Sequence, residues 1–220
     1  ADFFNGDVVS TGTIDKVVFT GGDANVANDI TWTAAQLAQF ALTGNGDDNF
    51  IKGYATNDVL TGNAGADTLI GGAGTDTVSY ASAGSGLTVS LADTGLNTGD
   101  AVGDVYSGIE NLTGSGFNDT LYGDGNANAI DGGVGNDTLV GGAGADTLVG
   151  GDGSDGTDYS LSSAAVVVDL AAGTGLGGLA EGDTLSGMEN VVATGGDDRL
   201  FGNAAANSLP ALDLAALRSL

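Results

Sequence analysis

Along two long stretches of this 220-residue chain, hydrophobic and polar positions recur with a period of nine. Each unit opens with six small or polar turn formers rich in glycine and closes with three strand formers, the middle one aliphatic. Units begin at Gly44, Gly53, Gly62 and Gly71, and again at Gly114, Gly123, Gly132, Gly141 and Gly150. The eighth position holds Ile51, Leu60, Leu69, Val78, Leu121, Ile130, Leu139 and Leu148, with Thr157 the one polar member. A short strand and a turn reverse the chain every nine residues, so two units should make one coil. Stacked coils would then align the eighth positions into an aliphatic ladder. One unit alone buries almost nothing, so the ladder stabilises only as an array. Glycine at the first, second and fourth positions is expected to supply positive φ and let the backbone pass close to a bound ion.

The sixth position carries the chemistry: Asn49, Asp58, Asp67, Asp76, Asp119, Asn128, Asp137, Asp146 and Asp155. With two units per coil, Asp58 stacks on Asp76, Asp119 on Asp137 and Asp137 on Asp155, at a strand spacing of about 4.8 Å. Two bare carboxylates at that distance repel by roughly 3.5 kcal/mol at an effective dielectric of about 20, and by about 1 kcal/mol in bulk water. Either the coil opens or a cation sits between them. The chain has no histidine and no cysteine. Carboxylate and carbonyl oxygens are therefore the available donors, and they suit Ca²⁺ rather than zinc or copper.

The unit resembles the RTX, or haemolysin-type, calcium-binding nonapeptide G-G-x-G-x-D-x-U-x. The resemblance implies an all-β fold, a right-handed parallel β-helix or β-roll, that binds several Ca²⁺ ions. It also implies that sixth-position side chains and turn carbonyls hold each ion between successive coils. The best matches span residues 62–70, 71–79, 132–140, 141–149 and 150–158. Their glycines Gly62, Gly65, Gly71, Gly74, Gly132, Gly135, Gly141, Gly144 and Gly150, with Gly153, join the sixth-position residues as the implied metal site. Asn49 and Asn128 drop a charge, and Asp47, Thr56, Phe117 and Asn126 replace the fourth glycine, so the sites they border should be weaker.

Between and beyond the runs lies a second, longer repeat. Residues 80–113 leave the nine-residue frame, with an alternating Leu87, Val89, Leu91 strand and then DVYSGIENLTGS; a copy lies 79 residues downstream, matching Asp104 to Asp183 and Glu110 to Glu189. The spacers read as wider, ion-poor coils of the same helix, keeping Val89, Leu91, Ile109 and Leu112 inward. Glu110 and Glu189 recur at matched positions and read as structural hydrogen-bonding residues. The expected layout is a cap over 1–43, a first run over 44–79, wider coils over 80–113 and a second run over 114–158. Wider coils follow over 159–192, then degenerate repeats with a C-terminal cap over 193–220. In this last part Asp198 and Asn207 sit at the sixth position without a full site. Trp32, Phe40, Phe3 and Phe4 are expected to cap the ladder, residues 33–42 to form a short helix, and the tail 209–220 could belong to a secretion signal.

Four basic residues face 29 acidic ones, a net charge of -25. That balance argues against nucleic acid and against insertion into an anionic membrane, and it predicts a chain that repels itself until a cation binds. Dependence on Ca²⁺ at extracellular levels points to a secreted, extracellular or cell-surface location, and the resemblance implies type I secretion. Without histidine there is no metalloprotease motif, catalytic triad or imidazole base, so no catalytic residue and no organic cofactor are expected. The reading is a calcium-folded structural or interaction module. The alternatives are the C-terminal module of a secreted protease, lipase or alginate epimerase, and a self-assembling surface-layer or filament protein. Self-association and a cell-surface polysaccharide remain the candidate partners besides Ca²⁺.

Overall fold

A computed structural model describes residues 42–209 of the chain. The expected aromatic cap, the helix over 33–42 apart from Leu42, and the tail beyond Leu209 lie outside the described residues. The strands are β1 Leu42–Thr43, β2 Phe50–Lys52, β3 Val59–Thr61, β4 Thr68–Ile70, β5 Thr77–Ser79 and β6 Thr88–Ser90. They continue with β7 Val105–Ser107, β8 Asn111–Thr113, β9 Thr120–Tyr122, β10 Ala129–Val134, β11 Thr138–Val140 and β12 Thr147–Asp152. The last are β13 Gly156–Asp158, β14 Val167–Asp169, β15 Thr174–Leu176, β16 Thr184–Ser186, β17 Asn190–Val192 and β18 Arg199–Phe201. Among the described residues no α-helix forms; three short 3₁₀ turns, Thr94–Leu96, Gly99–Ala101 and Gly178–Ala180, interrupt the spacers.

Pairing is parallel nearly throughout and repeats at two units. Leu60 lies beside Val78, Ile51 beside Leu69, Leu121 beside Leu139 and Ile130 beside Leu148. Each coil is therefore two units. A ten-stranded sheet runs β1-β3-β5-β8-β10-β12-β16-β15-β14-β18, and a three-stranded sheet β2-β4-β7 and a five-stranded sheet β17-β13-β11-β9-β6 supply the other strands. Between the faces the eighth-position ladder forms one core with Leu60, Leu69, Val78, Leu121, Ile130, Leu139 and Leu148, all fully buried. Each such side chain contributes roughly 1.5–3 kcal/mol of burial, so the array supplies what a single unit lacks.

The spacers keep Val89, Ile109 and Leu112 buried in that core and Leu91 half-buried against it. Their path differs from simple wide coils. After β5 the chain runs ahead to β6, which pairs with the later β9, then doubles back so that β7 pairs with the earlier β4. In the first spacer the return is stitched by the Thr98 N–H donating to the Thr88 carbonyl and the Ser90 N–H donating to Asn97 Oδ1. In the second it is an antiparallel hairpin, Val167 opposite Leu176 and Thr174 opposite Thr184. That hairpin is the one local departure from the parallel helix among the described strands. Because this detour stays on one face, the 79-residue copy is turned by half a coil. β4 and β7 lie in the three-stranded sheet, while their counterparts β12 and β16 lie in the ten-stranded one.

Candidate metal centre

Every sixth-position residue in the runs sits in the turn just before a strand, two residues ahead of an eighth-position partner that is buried in every unit but the first, where Ile51 is half-buried. The coil stacking turns these residues into columns. The N–H of Asp58 donates to Oδ1 of Asp76, that of Asp119 to Asp137, that of Asn128 to Asp146 and that of Asp137 to Asp155, each at 2.8 Å. Asn49 donates in the same way to Asp67 at 2.7 Å. Asp137 thus accepts from the coil below and donates to the coil above.

The sixth-position oxygen that faces the turn, Oδ2 of an aspartate or the amide oxygen of an asparagine, divides the units into two kinds. In the units at Gly44, Gly53, Gly114 and Gly123 it is satisfied within the turn. Here the second-position N–H donates to Asn49 Oδ1, Asp58 Oδ2, Asp119 Oδ2 and Asn128 Oδ1. In the units at Gly62, Gly71, Gly132, Gly141 and Gly150 it is not. Oδ2 of Asp67, Asp76, Asp137, Asp146 and Asp155 is buried without a hydrogen-bond partner. The cause is backbone conformation. Only these five units combine positive φ at the second and fourth positions, as in Gly133 at 97° and Gly135 at 142°, with Asn63 at 67° serving at the second position of the first. The left-handed second residue carries its N–H away from the carboxylate, and that conformation favours glycine.

The first glycine works otherwise than expected. It does not adopt positive φ in any of the nine units. It is needed for space: a Cβ on Gly132 would lie 2.5 Å from Asp137 Oδ2 and 2.5 Å from the carbonyl oxygen of Gly150 in the next coil. Gly53 and Gly114 face the same pair of groups, a sixth-position Oδ2 and the carbonyl of Gly71 or Gly132. A sixth-position carboxylate oxygen and a main-chain carbonyl from the coil above thus converge on one small cradle.

An orphaned buried carboxylate is costly in its charged form. Burial pushes Asp137 and Asp146 up to about 6 and raises Asp67, Asp76 and Asp155, although the N–H bond from the coil below pulls each the other way. Stacked acids add to the rise, Asp119 and Asp155 for Asp137 and Glu189 for Asp155. Among the described residues no three acidic side chains gather at one point. A cation here would therefore be held by one or two carboxylates and several carbonyls, an all-oxygen set that fits a hard ion of flexible coordination.

Four members of the columns lie outside the nine-residue frame. Oδ1 of Asp104 and of Asp183 accepts the N–H of Asp67 and Asp146, and Oε2 of Glu110 and of Glu189 accepts the N–H of Asp76 and Asp155. The signal was present in the sequence: each acid lies two residues before an inward residue, Tyr106, Leu112, Leu185 or Val191. Glu110 and Glu189 thus have the hydrogen-bonding role expected of them, and a second ladder runs beside the columns. On the outside of the turns Asn57, Asn118 and Asn136 each accept the N–H of the residue one coil above.

A family model described as the RTX calcium-binding nonapeptide repeat matches the chain in four copies, at residues 43–78, 105–139, 131–156 and 182–209, together more than half of its length. No curated protein matches the chain significantly.

Proposed function

Since the chain belongs to the RTX calcium-binding nonapeptide repeat family, we propose that its Ca²⁺ ions are held between coils at the five orphaned carboxylates. We propose further that the module orders on binding them outside the cell. The family places several Ca²⁺ ions in such repeats, and the repeat is a structural module rather than a catalytic one. The observation that carries the residue assignment is that consensus and geometry single out the same units. The five units closest to the consensus are the five whose Oδ2 has no partner.

Asp67, Asp76, Asp137, Asp146 and Asp155 are the principal ligands in this reading. Asn49, Asp58, Asp119 and Asn128 hold Oδ1 of Asp67, Asp76, Asp137 and Asp146 from the coil below through their main-chain N–H groups. Gly62, Gly71, Gly132, Gly141 and Gly150 leave room and present carbonyls, while Gly65, Gly74, Gly135, Gly144 and Gly153 hold the turn open. A bound Ca²⁺ supplies the positive charge that these buried oxygens lack. With a net charge of -25, the ion-free chain is opposed by its own repulsion. Folding and ion binding are thereby coupled.

RTX repeats are typical of secreted proteins, and among the described residues no helix is long and apolar enough to cross a membrane. The module serves as a rigid, non-enzymatic rod for structure or interaction, and type I export as an unfolded chain suits its calcium dependence. Far-UV circular dichroism with and without a chelator tests this. Little β signal in the chelator and full signal with Ca²⁺ is expected; an equal signal in both would sink the coupled-folding claim.

A further inference from the structure

Two column members have their second carboxylate oxygen satisfied by a side chain from elsewhere. The Tyr80 hydroxyl donates to Asp104 Oδ2, and the Tyr159 hydroxyl donates to Asp183 Oδ2 at 2.7 Å. All four residues are buried, with Tyr80, Tyr159 and Asp183 at most 2% exposed and Asp104 at 0%. We propose that these tyrosines take the place of a cation, so that the coil at each spacer closes without an ion and ends the column of ion sites beneath it. This rests on the calcium reading of the orphaned carboxylates above.

The position of the tyrosines supports the substitution. Each directly follows a nonapeptide, in the slot where the next unit would place its first glycine. The backbone treats it as that slot. The Tyr80 N–H donates to the Thr113 carbonyl and the Tyr159 N–H to the Val192 carbonyl, as the Gly44 N–H does to Thr61 and the Gly123 N–H to Val140. In an ordinary unit the first glycine leaves a cradle facing the sixth-position oxygen. Here the slot carries a ring that ends in a donor aimed at the equivalent oxygen. Oδ1 meanwhile keeps the usual column bond from Asp67 or Asp146. Both oxygens of Asp104 and Asp183 are therefore accounted for, whereas Oδ2 of Asp67 and Asp146 directly below is not.

The proton count is consistent. In the first spacer Asn97 Nδ2 donates to the Tyr106 hydroxyl at 3.0 Å, and Tyr106 and Tyr80 share a hydrogen bond. Each hydroxyl has one proton, so the chain runs Asn97 to Tyr106 to Tyr80 to Asp104. Leu185 replaces Tyr106 in the second copy, where the Tyr159 bond stands alone. Burial raises both phenols well above their ordinary range, which keeps the donor proton in place. A buried hydroxyl to carboxylate bond belongs to the strong, charge-assisted class. It therefore suits a site that closes in the folded coil without an ion of its own.

The test counts Ca²⁺ bound per folded chain by native mass spectrometry, on the full chain and three variants. Asp183→Asn and, in the other copy, Asp104→Asn retain an oxygen for the column N–H and an amide that can bond the tyrosine. Both should bind as many ions as the unsubstituted chain. Asp137→Asn should bind at least one fewer. Loss of an ion in either Asp183→Asn or Asp104→Asn, alongside the loss in Asp137→Asn, would overturn the tyrosine proposal while leaving the calcium reading intact. No loss in Asp137→Asn would overturn the calcium reading itself, and the proposal with it.

Discussion

Replacing Gly132 by alanine isolates the cradle from every other role a glycine can have. Gly132 is outside the left-handed region, so a methyl group adds no backbone strain. Its Cβ would lie 2.5 Å from both Asp137 Oδ2 and the Gly150 carbonyl oxygen, inside any tolerable contact, and relief requires two stacked coils to part. Overpacking of that kind costs about 1–3 kcal/mol. Gly116 is the control. It too is outside the left-handed region, a Cβ there meets nothing within 4 Å, and alanine should stabilise by about 0.4–1 kcal/mol through the unfolded chain. The two variants should thus differ by about 1.5–4 kcal/mol. With a urea slope of about 2 kcal/mol/M, their midpoints at saturating Ca²⁺, followed by circular dichroism, should separate by about 0.7–2 M. Coincident midpoints would show that the first glycine is not held by the converging oxygens and would refute the cradle.

Two further outcomes follow from the columns. In chelator, Asp137 and Asp146 titrate near 6 in the folded chain, and Asp67, Asp76 and Asp155 are raised as well, against about 3.9 when unfolded. Between those values the folded state holds more protons, so ion-free stability rises as pH falls from 7 towards 4. β signal in chelator should grow on acidification; a steady loss would contradict the burial of these groups. Glu189→Ala strips the acceptor from the Asp155 N–H and should cost about 1–3 kcal/mol, measured by urea unfolding at saturating Ca²⁺, whereas Glu189→Gln should cost much less; equal costs would mean that the N–H does not depend on that oxygen.

Much of the architecture is legible because period and chemistry coincide. The aliphatic residue recurs every nine positions, and a strand of three admits one inward side chain, so Leu121 meeting Leu139 follows from spacing alone. The spacers are less readable for a definite reason. Alternation at Leu87, Val89 and Leu91 identifies a strand but carries no information about its partner, and β6 pairs forward with β9 while β7 pairs back with β4. Composition likewise marks glycines without distinguishing their reasons. Gly133 and Gly135 are needed for positive φ, Gly132 for a close approach. Asp104 and Asp183 stay hidden because the glycine turn that normally announces a sixth-position acid is replaced by a tyrosine and a long detour. Thr157 is the ladder's one polar member, and its buried hydroxyl finds no partner.

The most direct test of the account is the location of the ions. Crystals grown in Ca²⁺ and measured near a wavelength where calcium scatters anomalously should show peaks between coils against Oδ2 of Asp67, Asp76, Asp137, Asp146 and Asp155, with none against Asp104 or Asp183. Peaks confined to exposed surface carboxylates such as Asp47 or Asp152, with those five oxygens bare, would contradict it.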